Sequence, residues 1–506
     1  MNDPGRLAKG AGRLERKRFV KTYDRRVVLI GTGPAGAAAA VTLQRAGIAV
    51  TVLEAGRESA SHGLTVRLPG FTVAHLHSSR LEYPPDSRAD PNGPPHWFHD
   101  FSPGGLTNHW SCAVPRFAPQ DFTEGASLGE AYRWPIGYDD LRTDYPLMER
   151  LLHVGGSGED VTNLPGNEVR HRLRLSRDWN GLVAKAAARG HGLTALPKAY
   201  GSDFTVTRGA TPFNSYLRLV APIPRSSNFQ ILFGARATRL EWSQQAGRVT
   251  RVHYVDAEGR EQSVAAVAVL VAAGSIASSR LLLESRSDEF PEGLGNRHGV
   301  LGRYLHDHPL GKLSVEVSRP ISIHPPAYLT RAPYGETPPL RGVASILWSG
   351  TSTRVRTWLK LSRDKSREIG FSLFGTMTPG RSTGMAVQPG GKVSLQLGFE
   401  ASVLQEMDRA RDRVLQILAD EGLAPKLKEW FVERPGWSVH LGGTSRMHAS
   451  PEHGVVDGFC RVHGAPNVRV VDSGIFTTGP EKNPVLTAMA IASRACRQLA
   501  EELRRG

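Results

Sequence analysis

Hydrophobic positions along the chain fall into two textures. The first begins with Arg26-Val27-Val28-Leu29-Ile30, a short apolar, β-branched run that predicts a buried parallel strand. A glycine-rich turn follows, and Ala37 to Ala46 predicts a helix ending at Gly47. Ala49-Val50-Thr51-Val52-Leu53 predicts a second strand, so the three elements form a βαβ unit. Residues 139–154 are expected to be helical. Val264 to Ala272 predicts one further strand, with a helix over Ser275 to Glu284 behind it. The same texture returns near the end, as a strand at Val468 to Val471 and a helix from Pro484 to Leu503.

Between about 310 and 435 the pattern changes. Proline- and arginine-rich segments alternate with short strand-like runs such as Val343 to Leu347, and an amphipathic helix at Leu404 to Gly422 closes the stretch. The expected class is α/β: a Rossmann-like nucleotide-binding domain with an interleaved α+β domain built on an antiparallel sheet. The nucleotide domain is expected over 26–309, with an irregular Pro/Gly/Ser/His-rich insertion near 60–105, and again over 436–506. Residues 310–435 form the second domain, and 1–25 a solvated, disordered basic tail.

Gly31-Thr32-Gly33-Pro34-Ala35-Gly36 is a G-x-G-x-x-G loop between the first strand and helix. Gly31 allows the tight turn, Gly33 lets a pyrophosphate approach the backbone, and Gly36 lets the helix pack close to the sheet. The helix N-terminus offers free N–H groups and the positive end of its dipole. Glu54 ends the second strand, roughly 20 residues on, where an acid binds ribose hydroxyls and disfavours a 2′-phosphate. Gly31, Gly33, Pro34, Ala35, Gly36, Glu54 and Ala55 are therefore candidate nucleotide contacts. This unit alone fits FAD and NAD equally.

Composition narrows the partners. Lys and Arg number 63 against 48 Asp and Glu, a formal charge of +15. No zinc-finger or aromatic-interleaved basic motif accompanies it, so nucleic acid is not an expected partner and the charge reads as a solvated surface. The 3 cysteines, Cys112, Cys460 and Cys496, lack paired spacing, which fits a reducing, cytoplasmic compartment. No apolar run reaches the length of a membrane span.

Three more stretches carry chemistry: Gly104-Gly105-Leu106-Thr107-Asn108-His109-Trp110, then Gly302-Arg303-Tyr304-Leu305-His306-Asp307-His308-Pro309, and a C-terminal series. That series runs from His440-Leu441-Gly442-Gly443-Thr444-Ser445 through Val470-Val471-Asp472-Ser473-Gly474 to Asn483-Pro484-Val485-Leu486-Thr487. With the nucleotide loop, these resemble the glucose–methanol–choline oxidoreductase family in that family's order. Thr107 to Pro115 and Asn483 to Met489 look most like its pyranose oxidase and glycoside oxidase branch. The resemblance implies FAD as cofactor. It implies His440 as the catalytic histidine with Asn483 as its partner, Ala237 against adenine, and Asp472, Pro484 and Val485 along the flavin. Gly105, Asn108 and His109 fall in the loop lining the flavin, and in the pyranose oxidase branch the histidine matching His109 is bonded covalently to FAD.

The expected activity is FAD-dependent oxidation of a CH–OH group on a sugar, polyol or glycoside. Histidine suits removal of the hydroxyl proton because its ordinary pKa lies near working pH, and an asparagine amide can hold the oxygen. Three alternatives stay open: tailoring of a glycosylated secondary metabolite such as an aminoglycoside or C-glycoside, a non-redox flavin lyase, and an NAD enzyme. Oxygen, a quinone or a protein carrier could accept the electrons. His306 and His308 are accounted for by the Asp-His-Pro turn rather than by a metal. Nothing in the sequence speaks to oligomeric state.

Overall fold

The computed structural model describes residues 26–58, 89–200, 213–322, 324–349 and 365–505, with two short strand pieces at 67–68 and 71–72. The expected basic tail and much of the 60–105 insertion lie outside the described residues.

A parallel sheet forms the nucleotide side. Its order is Arg461–Val462, Ala465–Val470, Ala268–Val271, Val27–Ile30, Val50–Glu54, Phe229–Phe233. All neighbours run parallel except the short Arg461–Val462 edge. The three middle strands are buried at every position, as continuous apolar runs require when both faces are covered. The chain enters this sheet in four separate passes, at 27–54, 229–233, 268–271 and 461–470. Helix Pro34–Arg45 packs against the C-terminal helix Val485–Arg505, which buries residues such as Leu486, Ile491 and Leu499.

Two sequence expectations shift here. The single strand expected over Val264 to Ala272 is two: Glu261–Ala265 belongs to a separate three-stranded antiparallel sheet, and only Ala268–Val271 joins the parallel one. The apolar run from Val264 spans the end of the first piece and all of the second, so nothing in it marks the hand-over. The helix expected over 139–154 is a 3₁₀ turn at Tyr138–Leu141 followed by Asp144–Leu152.

The second sheet is antiparallel throughout, in the order Lys426–Val432, Leu310–Ser322, Lys365–Gly375, Val343–Ser349, Ala327–Leu329, Leu193–Ala195. Its last strand comes from outside 310–435. Side chains alternate between its faces. Leu313, Phe371, Leu373 and Leu347 meet helix Ala401–Asp420 through Met407, Val414 and Leu418. Leu310, Phe374, Ala344 and Ile346 point the other way, into a cluster with Ala113 and Leu196.

Gly36 shows how tightly the loop is made. A Cβ there would lie 2.2 Å from the carbonyl oxygen of Gly31, far inside van der Waals contact. Gly36→Ala is expected to push the helix off the loop, cost about 1–3 kcal/mol and lower the flavin-to-protein ratio. Absorbance and thermal melting check this; a normal ratio and unchanged melting would refute it.

Candidate functional site

A deep cleft runs across the C-terminal edge of the parallel sheet, where open α/β folds bind ligands. Gly31, Gly33, Pro34 and Ala35 form one wall, and Glu54, Ala55 and Ala237 extend it. Gly105, His440, Asp472, Pro484 and Val485 line the rest. Four other expected site residues stand behind the lining: Gly36, Asn108, His109 and Asn483.

The loop fits a dinucleotide. Gly31 has φ +96°, a left-handed conformation that a side chain would strain, and a Cβ would meet the Ala272 carbonyl at 2.6 Å. At Gly33 the Cβ direction is open, on the cleft wall where a pyrophosphate needs room. No side chain caps the start of helix Pro34–Arg45, so its first N–H groups stay available to an anion.

Glu54 is already engaged. One oxygen accepts from the Thr32 N–H (3.0 Å) and hydroxyl (2.6 Å), the other from the Gly56 N–H (2.9 Å). Burial pushes its carboxyl up, and these bonds oppose that. Carboxylate oxygens keep spare lone pairs for a ribose. Asp472 ties the last pass of the sheet to helix Ser275–Glu284. It accepts from Gly274 N–H (3.0 Å), the Ser278 hydroxyl (2.5 Å) and Gly474 N–H (2.9 Å).

Asn108 and His109 face inward. Asn108 donates to Asp100 at 3.0 Å and meets Asn214. His109 Nε2 is 2.8 Å from Asp100. Burial would raise the Asp100 carboxyl, yet His109, Ser102 and Asn108 hold it well below the usual range. Asp100 thus engages one ring nitrogen of His109, the residue at which the resemblance leaves a covalent bond to FAD open. Asp100 itself lines the cleft; no local pattern in the sequence singles it out.

The sequence-predicted catalytic pair is brought together from residues 43 apart. His440 Nε2 lies 3.2 Å from Asn483 Nδ2. His440 is half-buried, lining the cleft, and burial pulls its pKa down to about 4. Phe374, from the antiparallel sheet, stands with its ring centroid 5.5 Å from that of His440. The antiparallel sheet therefore reaches the cleft at this histidine. Asn483 Oδ1 is buried without a hydrogen-bond partner.

Sequence reasoning missed what lies beneath Asn483. Lys482 Nζ is 2.9 Å from Asp121 and 2.7 Å from Glu481. Arg331 is 2.9 Å from Glu124 and 3.6 Å from Glu481, and stacks 4.2 Å over the Tyr334 ring. Asp121, Arg331, Glu481 and Lys482 are all buried. Burial opposes the charge on Lys482, but Asp121 and Glu481 outweigh it and raise its pKa. Among the described residues, no group of three or more His, Cys, Asp or Glu is placed to hold a metal, and no helix is long and apolar enough to cross a membrane.

Comparisons with known proteins agree with this geometry. GMC oxidoreductase models match residues 214–310 and 403–492, and an FAD binding domain model matches residues 24–185. The chain is 28% identical to 6'''-hydroxyparomomycin C oxidase of Streptomyces lividus, covering 94% of this chain and 91% of that protein. It is also 28% identical to paromamine 6'-oxidase of Streptomyces fradiae, with the same coverage of 94% and 91%. The structure of pyridoxine 4-oxidase from Mesorbium loti shares the fold, with TM-score 0.62 and 18% identity over 94% of this chain and 98% of that one.

Fold, cleft and matches define an FAD-dependent alcohol oxidoreductase. The chain carries the N- and C-terminal GMC oxidoreductase domains.

Proposed function

We propose that this enzyme oxidises a hydroxyl on a sugar or glycoside, with His440 as the base and Asn483 as the holder of the reacting oxygen. The observation that carries the roles is the 3.2 Å approach of His440 Nε2 and Asn483 Nδ2 beside a cleft built for a dinucleotide. A substrate hydroxyl placed against this pair gives its proton to His440 Nε2. The Asn483 amide donates to the same oxygen as negative charge develops on it. When bound, FAD supplies the acceptor for the hydride that leaves the carbinol carbon. Gly31, Gly33, Pro34, Ala35 and Gly36 shape the pyrophosphate cradle. Glu54 and Ala55 serve the ribose end, Ala237 the adenine, and Gly105, Asn108, Asp472, Pro484 and Val485 the flavin end.

The relatives named as oxidases of hydroxyparomomycin C and paromamine support the tailoring reading: a hydroxyl on an aminoglycoside. Three buried free thiols, Cys112, Cys460 and Cys496, support a cytoplasmic location; cell fractionation that recovers the enzyme outside the cytoplasm would overturn it. Oxygen, a quinone and a protein carrier are all compatible with the site as electron acceptor.

An anaerobic screen tests the substrate. Paromamine, other aminoglycosides, free sugars and simple diols are each added to the purified yellow protein. Bleaching of the flavin by aminoglycosides ahead of free sugars and diols is the expected result. Bleaching by diols alone would overturn the glycoside reading, and turnover without any bleaching would point to the lyase.

A further inference from the structure

The Asp-His-Pro turn at 307–309 reaches both catalytic loops. The Asp307 carboxylate is buried and accepts from the N–H of Gly436 (2.9 Å), the N–H of His440 (3.0 Å) and the hydroxyl of Ser438. One side chain thus holds the whole turn that presents His440, including Val439 at φ +63°. The next residue, His308, faces the His440 ring edge to face, with Nδ1 3.2 Å from Nδ1.

Two ring nitrogens that face each other at this distance need one proton between them. The other side of His440 decides which ring carries it. At His440 Nε2 stands the Asn483 amide Nδ2, a donor, at 3.2 Å. His440 Nε2 is the acceptor of that contact and carries no proton, so the neutral His440 ring holds its proton on Nδ1 and donates it to His308 Nδ1. His308 is buried, and its Nδ1 is the acceptor that this N–H needs. The opposite polarity would set His440 Nε2–H against the Asn483 amide N–H, two donors with no acceptor between them, at a cost of about 1–3 kcal/mol.

We infer that His308 is a positioning residue that holds His440 in the Nδ1–H tautomer, so that the Nε2 lone pair faces the substrate hydroxyl. This rests on the proposed role of His440 as the base. His308 thus sets the proton arrangement of the pair from the side of the His440 ring away from Asn483.

The test reads the tautomer in the FAD-loaded protein labelled with ¹⁵N-histidine, the His440 signals being assigned by their loss in His440→Gln. A protonated Nδ1 and a bare Nε2 are expected in the unaltered protein; the reverse overturns the inference without any variant of His308. His308→Leu is expected to release His440 toward the Nε2–H form. With the glycoside that bleaches the flavin fastest in the screen above, it should also slow reduction by about tenfold to a hundredfold, part of what a positioned base contributes. His308→Asn places an oxygen acceptor near the lost Nδ1 and should recover the tautomer and most of the rate. An unchanged tautomer and rate in His308→Leu sinks this inference alone. Near-normal reduction in His440→Ala would instead remove the reading on which it rests.

Discussion

His440→Ala is expected to slow anaerobic flavin reduction by about 10²–10⁴-fold, the usual contribution of a positioned base, while the protein stays yellow. The proposed cofactor cradle comprises Gly31–Gly36, Glu54 and Asp472, none of which contacts the His440 ring through a hydrogen bond among those found for it. Retained colour therefore separates a lost base from a lost cofactor. The unaltered enzyme gives a second readout. Burial lowers the His440 pKa to about 4, so the ring is neutral and competent above that pH. Reduction rates should be level from about pH 5.5 upward and fall as pH drops through 4, because protonation removes the lone pair. An acid limb centred near the ordinary histidine value of about 6.5 would show that the buried state is not the working one. Near-normal reduction in the alanine variant would end the assignment.

The second large effect is on stability. Lys482→Met is expected to destabilise the protein by about 3–5 kcal/mol, the usual cost of breaking a buried pair from one side. Lys482 stands between Asp121 and Glu481, both buried, and three carboxylates share only two cations in this cluster. Without the ammonium, Asp121 and Glu481 face each other with Arg331 alone as compensation. One carboxyl must then take up a proton or its loop must open. Thermal melting of the FAD-loaded variant measures the loss. Lys482→Arg should lose less, and adding Asp121→Asn to Lys482→Met should recover part of it, since the two sites are in contact. A melting temperature equal to that of the unaltered protein would show the cluster to be energetically idle. Because Asn483 is the next residue, flavin reduction should also fall in this variant while the His440 titration stays in place.

What could be read in advance follows from the range of each signal. The Gly31–Gly36 loop and helix Ser275–Glu284 were legible because their patterns are local: a glycine spacing, and a helix whose bounds match the structure. The His440 and Asn483 pairing was legible only through family resemblance, since no spacing rule brings together positions so far apart. The three-residue strand Leu193–Ala195 was not legible, being too short for a period of two to show. Val264 to Ala272 misled because apolar sequence looks alike whichever sheet buries it. Asp100 and the cluster of Asp121, Glu124, Arg331 and Lys482 were invisible for another reason: each residue is ordinary in its own stretch, and only the fold makes them neighbours. His308 was seen, but as part of a turn; its ring became informative once its contact with the His440 ring was known.

The four-pass construction of the parallel sheet has a consequence for synthesis. A growing polypeptide can make the glycine loop and its first two strands early. The strand Ala465–Val470, Asp472, Pro484, Val485 and Asn483 all come from the final stretch. Until the ribosome releases that stretch, the cleft lacks a wall and the proton acceptor lacks its companion. Cofactor capture and catalytic competence are therefore expected to arrive together and late, once the final stretch has joined the sheet.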